Sequence, residues 1–264
     1  MIPRFAICTL LAGCVFSRGG SLSSAQSVSL NPVADAFVFA GEPTFNYGGG
    51  GVFAVSAPGL PEGEFRSLLR FDLAGAKSSF DSAFGAGNWS LGSAVLALTA
   101  SGPNNPIFNT SAAGQLRATW MQNDTWGEGA GAPTTPDTNG VTWNSLPSFL
   151  SAGDQSLGTF AFGGATSGTV SYPLVLSSGL VGDTASGGLT SFLLAAAPGD
   201  ATISGAFNSR SFSTASRRPL LTLNAVAIPE PATWILAGCG VLGLGFLRSR
   251  SRGGVVDRFN SARR

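Results

Sequence analysis

The apolar residues of this 264-residue chain are gathered into short segments, each with a glycine, proline or asparagine within a few residues of its end. Such segments lie at 36–40, 52–56, 66–72, 94–99, 115–120, 157–162, 169–174, 190–195 and 220–225. An amphipathic helix repeats its apolar residues every three to four positions over ten or more residues, whereas a strand needs only four to eight residues between turn signals. No long helical stripe of that kind is visible, and residues 175–180 offer at most one helical turn. In Val95-Leu96-Ala97-Leu98 the apolar side chains are continuous, as in a strand covered on both faces or flanked by small side chains. Short strands joined by glycine-rich connections predict an all-β chain, built as a single jelly-roll-like β-sandwich rather than an α/β fold. No repeat with a period of about 20–50 residues is present, which argues against a propeller or solenoid.

The inventory of reactive side chains narrows the chemistry. The chain has no histidine, which removes the commonest general base, triads of the serine-protease kind and nearly every zinc site. Its three cysteines, Cys8, Cys14 and Cys239, all lie outside residues 26–228, so that region has no disulfide framework and no thiolate nucleophile. Residues 26–228 carry seven basic against twelve acidic side chains, a net charge near −5, although the whole chain is at +1. Nucleic acid is not expected as a partner for such a surface.

The two ends read as addresses. Arg4 precedes an apolar run, 5–16, and Ser23-Ser24-Ala25 supplies the small residues a signal peptidase reads, predicting a signal peptide over 1–25 with cleavage before Gln26. Leu11-Ala12-Gly13-Cys14 also fits a lipoprotein signal, in which Cys14 would be lipidated. At the other end, Pro229-Glu230-Pro231 is followed by an apolar stretch, 232–247, and then by Arg248, Arg250 and Arg252. Sixteen helical residues reach about 24 Å, somewhat short of a hydrocarbon core of about 30 Å, as suits a temporary anchor. The arginines fit a cytoplasmic end. Gly238, Gly240, Gly243 and Gly245 form a small-residue face for packing in the membrane. This order of motif, transmembrane segment and positive stop over 228–252 resembles the PEP-CTERM sorting signal of bacteria that make exopolysaccharide. The resemblance implies processing by an exosortase-like membrane protease near the Pro-Glu-Pro motif. The basic tail, 253–264, is longer than such signals carry.

Residues 26–227 then form the expected domain, and its segments carry a second resemblance. Ala34-Asp35-Ala36-Phe37-Val38, Pro43-Thr44-Phe45-Asn46-Tyr47-Gly48 and Arg66-Ser67-Leu68-Leu69-Arg70-Phe71-Asp72-Leu73 come first. Ser93 to Leu98, Trp126-Gly127-Glu128, Val141 to Pro147, Asn208-Ser209-Arg210 and Arg218 to Leu223 follow in order. Together they resemble the DNRLRE domain, a jelly-roll-like β-sandwich of secreted and surface proteins whose relatives are classed with carbohydrate-binding modules. The stretch between Thr99 and Val141 is longer than the pattern, with Asn104-Asn105-Pro106 and 129–133 inserted. Connections of that length are more often functional or disordered than neutral.

Sugar recognition uses flat aromatic faces with polar groups around them. Trp89, Trp126, Trp143 and Tyr47 are the candidate platforms, and Tyr172 is a further one; Trp120 also suits the core, and Trp126, Trp143 and Tyr47 also suit loop packing. Arg66 and Arg70 share one strand face by period two, where they suit acidic sugars or pairing with Asp72, Asp35 or Glu64. Asp124 and Glu128 flank Trp126 and are the candidate acid–base pair for a glycosidase reading. Asp35, Asp72 and Asp124 are candidate ligands for a structural calcium ion, and no other cofactor or metal is expected. The expectation is an exported, non-catalytic surface or matrix protein, briefly held in the membrane. Its partners would be signal peptidase, an exosortase-like protease and extracellular polysaccharide. The alternatives are a purely structural surface or adhesin protein, and a polysaccharide-cleaving enzyme.

Overall fold

A computed structural model of the chain describes residues 25–102 and 107–228. The signal-peptide stretch up to residue 24, with Cys14, and the sorting signal from Pro229 onward, including the 232–247 segment, lie outside the described residues. Eleven strands occur in the order β1 (Ala25–Leu30), β2 (Ala34–Phe39), β3 (Val52–Ser56), β4 (Phe65–Asp72), β5 (Trp89–Ser101), β6 (Ala113–Met121), β7 (Gln155–Gly163), β8 (Thr169–Leu174), β9 (Leu189–Ala196), β10 (Ser204–Asn208) and β11 (Leu220–Ala227). Two helices interrupt them, α1 (Ala74–Phe84) and α2 (Ser178–Ser186). Among the described residues no helix is long and apolar enough to cross a membrane.

All the strands pair antiparallel. One set runs β8-β5-β11-β1 and another β2-β4-β9-β6-β7. The β3–β10 pair joins them, because β3 meets β4 at Ser56 and Phe65 while β10 meets the far end of β5 at Ala100 and Ser101. The result is one continuous sheet that curls on itself. Its inward faces share a core in which Leu69, Phe71, Phe192 and Leu194 pack in the same cluster as Leu96, Leu98, Leu221 and Leu223. Each such side chain contributes about 1.5–3 kcal/mol by leaving water. Phe162 meets Phe207 edge-on at 5.3 Å, and Phe65 meets Phe108 in the same way.

The continuous apolar segment of β5 proves to be one-sided. Leu96 and Leu98 are buried while Val95 and Ala97 are half-exposed among small neighbours such as Ser171 and Thr222. Two bulges bend the sheet: Gly92 is unpaired opposite Asn224 and Ala225, and Leu157 is unpaired opposite Ala118 and Thr119. The helices exceed the single turn anticipated at 175–180. α2 has the signals of a helix, a Ser177 hydroxyl accepting from the Leu180 N–H and a left-handed Gly187 closing its end. α1 buries only Ala76 and Phe80, one turn apart.

On the opposite face of β2, β4 and β9 lies a second, smaller core. Ala34, Ala36, Val38, Leu68 and Leu193 are covered there by Trp126, Val141 and Leu146 from the long β6–β7 connection. Strand β2 therefore buries both faces, Phe37 inward and Val38 outward.

Candidate functional site

The outer face of β4 carries Arg66, Leu68 and Arg70, as period two requires. The Arg70 guanidinium lies 4.7 Å from the Trp126 ring centre and donates to the carbonyl oxygens of Asp124 and Trp126. Its Nη1 thus fastens the β6–β7 connection to the sheet, while its Nε is buried without a partner. The Trp126 indole N–H donates to the Ser191 hydroxyl, and the ring is 1 % exposed. Arg66 sits 4.8 Å from the Trp143 ring centre and is ion-paired with Glu64 at 2.7 Å. Its internal partner is thus Glu64, one of the three carboxylates anticipated for the pair.

At one end of the sheet the segments 34–35, 46–48, 126–128 and 208–210 come together. Arg210 pairs both carboxylate oxygens of Glu128. Glu128 also accepts from the Asp35 N–H at 2.9 Å, and the Asp35 carboxylate accepts from the Arg210 N–H at 2.5 Å. Burial pushes the Asp35 carboxyl up to about 7; the Arg210 N–H lowers it, the nearby Glu128 charge raises it and the Arg210 charge lowers it. Asn46 is fully buried and donates to the carbonyls of Glu128 and Val141. A Cβ on Gly48 would stand 1.9 Å from the Glu128 carbonyl oxygen, so only glycine permits this approach.

Tyr47 is 1 % exposed, stacked on Phe37 at 4.7 Å with its hydroxyl on Glu42. Tyr47 and Trp126 therefore have no face to offer a sugar; both hold loops against the sheet. Trp89 begins β5 rather than lying in a loop, packs on Phe80 at 5.0 Å and donates to Asp81 at 2.8 Å. Trp120 and Tyr172 are core residues. The calcium candidates are dispersed: Asp35 faces Arg210, Asp72 caps the start of α1 through the Ala74 N–H, and Asp124 lies by Ser191 and Arg70. Among the described residues, no three Asp, Glu, His or Cys side chains converge as a metal site would require. Glu128 is ion-paired with Arg210, whereas Asp124 lies beside Ser191 and Arg70.

A groove of about 260 Å³ lies across β4, β9 and β6, bordered by Arg66, Arg117, Glu64 and Asp200 and floored by Ala195 and Ala197. Arg117 pairs across the sheet with Ala195, and Arg66 flanks the same alanine from β4, one step beyond the Ser67–Leu194 pair. Two strands apart, their backbones stand about 10 Å from each other. The Arg117 Nε is buried without a partner, and the side chain forms no ion pair among the described residues. Sequence reading missed Arg117, although its place between inward-facing Leu116 and Ala118 puts it on the outer face. No protein-family model matches the chain, and no curated protein does.

Proposed function

We propose that the chain is an exported, non-catalytic surface or matrix protein whose β-domain binds an acidic polysaccharide in the groove between Arg66 and Arg117. The carrying observation is the Arg117 guanidinium, half-buried beside an alanine floor with no carboxylate of its own. Arg66, held on Trp143 and ion-paired with Glu64, forms the opposite border of the groove. The uncommitted Arg117 fork beside a flat floor suits a sugar carboxylate, which arginine binds through paired hydrogen bonds. The curled antiparallel sheet is consistent with a jelly-roll sandwich of the DNRLRE kind, and the residues behind that resemblance meet in the Asp35–Asn46–Glu128–Arg210 cluster. Export rests on the signal-peptide reading, and release to the envelope or matrix on the PEP-CTERM-like end and an exosortase-like protease.

Affinity electrophoresis through gels containing alginate or pectate tests the reading. The full chain should be retarded, and Arg117→Ala should weaken binding about ten-fold or more, as loss of a charge-assisted pair predicts. An undiminished mobility of the wild-type protein in every acidic gel would overturn it. A purely structural surface protein is the second reading, favoured by the burial of Tyr47 and Trp126 and by the bonds of Arg70 to the loop carbonyls. It predicts that same unretarded mobility.

A further inference from the structure

A second cleft lies away from the groove, where the end of β5, the start of β8 and the segment after β10 meet. Its volume is about 270 Å³, and its lining includes Thr99, Ser101, Thr169, Asn208, Phe212 and Arg217, with no carboxylate among the lining residues. The 209–218 segment that forms one wall is tied down at several points. The Ser209 hydroxyl donates to the Gly50 carbonyl at 2.7 Å, and the Phe212 N–H donates to the Ser209 carbonyl. Arg218 Nε donates to the Phe212 carbonyl at 2.9 Å, and the Asn208 amide donates to the Arg217 carbonyl at 3.2 Å. Phe212 is therefore a half-exposed aromatic on a braced backbone, so little ordering remains to be done when a ring stacks on it.

We propose that this cleft is a second saccharide site, taking a neutral sugar ring, and that the domain bridges two polysaccharide chains. The bridging rests on the acidic-polysaccharide reading of the groove; the neutral-sugar site does not. Thr99 and Thr169 hydroxyls lie 2.8 Å apart, so between them they keep acceptor and donor capacity for a third group. Hydroxyls give and take hydrogen bonds, as sugar hydroxyls do, and this matches a neutral ring better than an anion. The single cation in the lining, Arg217, is exposed, so its charge is screened by water and salt. Phe212 supplies the apolar face, and the carboxylate-free wall spares the sugar from displacing charged groups from water.

The test uses the full chain in gels of β-glucan, mannan, xylan or galactan, alongside the acidic gels. Retardation is expected in at least one neutral gel, weakened about ten-fold by Phe212→Ala, the scale of a lost stacking contact. Arg217→Ala, on the exposed rim, serves as a second variant, and thermal melts establish that both fold. A mixture of the neutral and an acidic polysaccharide should gain viscosity with wild-type protein and not with Phe212→Ala. Mobility unchanged in every neutral gel overturns the second site, whatever happens in the acidic ones. Retardation in a neutral gel that both variants leave intact also overturns it. Retardation in neutral gels alone sustains the site and overturns the reading of the groove.

Discussion

At the level of single residues, Asp35 is the most consequential charge in the domain. It is 1 % exposed, and its carboxyl is held near 7 in the folded chain against about 3.8 when unfolded. The native state therefore keeps a proton that the unfolded chain has released across that interval. Its stabilising effect is complete below pH 4 and is lost as the pH rises through 7. Between pH 5 and pH 8 the loss amounts to roughly 2–3 kcal/mol. Asp124 and Asp183, raised by burial, act in the same direction. Asp81, Asp137 and Asp200 are lowered, so their contribution is lost only in stronger acid, as the pH falls below the ordinary carboxylate range. Wild-type protein should accordingly melt at a higher temperature at pH 5 than at pH 8. In Asp35→Asn, whose amide oxygen can still accept from the Arg210 N–H, most of that difference should vanish. Equal pH dependence of wild type and variant would count against Asp35 as its source. Asp35 was legible as a polar residue in an apolar segment, but its partner Arg210 lies 175 positions away and nothing local in the sequence joins them.

Among the elements, the β6–β7 connection departs most from its expected part. The long glycine-rich stretch between Thr99 and Val141 suggested a functional or disordered insertion; it contains β6, and its part from 122 onward belongs to a connection that lies on the sheet, with Trp126, Val141 and Leu146 as its anchors. Gly129 at φ +75° and Gly140 at φ +92° let its two limbs cross, since a Cβ on Gly129 would meet the Asn46 side chain at 2.1 Å. Removing the main anchor leaves a void and takes the indole bond from Ser191, so Trp126→Ala should cost about 3–5 kcal/mol. Trp126→Phe keeps most of the packing and forfeits the indole bond, about 1–2 kcal/mol. Denaturant unfolding measures both losses, and the alanine variant should also be cut faster by protease within 127–141. An unchanged midpoint for Trp126→Ala would mean that the connection does not hold the sheet. The strands were easier to read than this cover, because burial of one face writes itself into consecutive residues. All nine segments anticipated from the sequence lie on strands, whereas β1, with mostly small polar side chains, and five-residue β10 carried too little apolar signal. Helix α1 escaped for the same reason, having two buried side chains in eleven residues. In the groove, Arg66 was readable from β4 alone, but Arg117 gains its meaning only when β9 sets Ala195 between the two arginines.

For the whole molecule, the position of the two ends constrains how a processed chain would work. Strand β1 lies against β11, with Ala25 opposite Val226 and Leu30 opposite Leu221. The chain therefore enters the domain next to the place where it leaves at Ile228. Cleavage before Gln26 would remove only the Ala25–Val226 pair and leave the partnership from Gln26–Ala225 to Leu30–Leu221 intact. Val28 and Leu30, packed against the main core, would continue to cover the edge of β11. If the proposed signal peptide and sorting segment flank the domain, they join it at the paired strands β1 and β11, which would suit a domain first held and then freed at one end. Mass spectrometry of the protein recovered from the culture medium decides the matter. The expected polypeptide begins at Gln26 and ends before the 232–247 stretch, while protein blocked in C-terminal processing should stay with the membrane fraction. An acylated Cys14 at the N-terminus would replace the signal-peptidase reading with lipid anchoring. A secreted chain still carrying Arg248, Arg250 and Arg252 would overturn the sorting reading, because a released protein has no use for a positive stop.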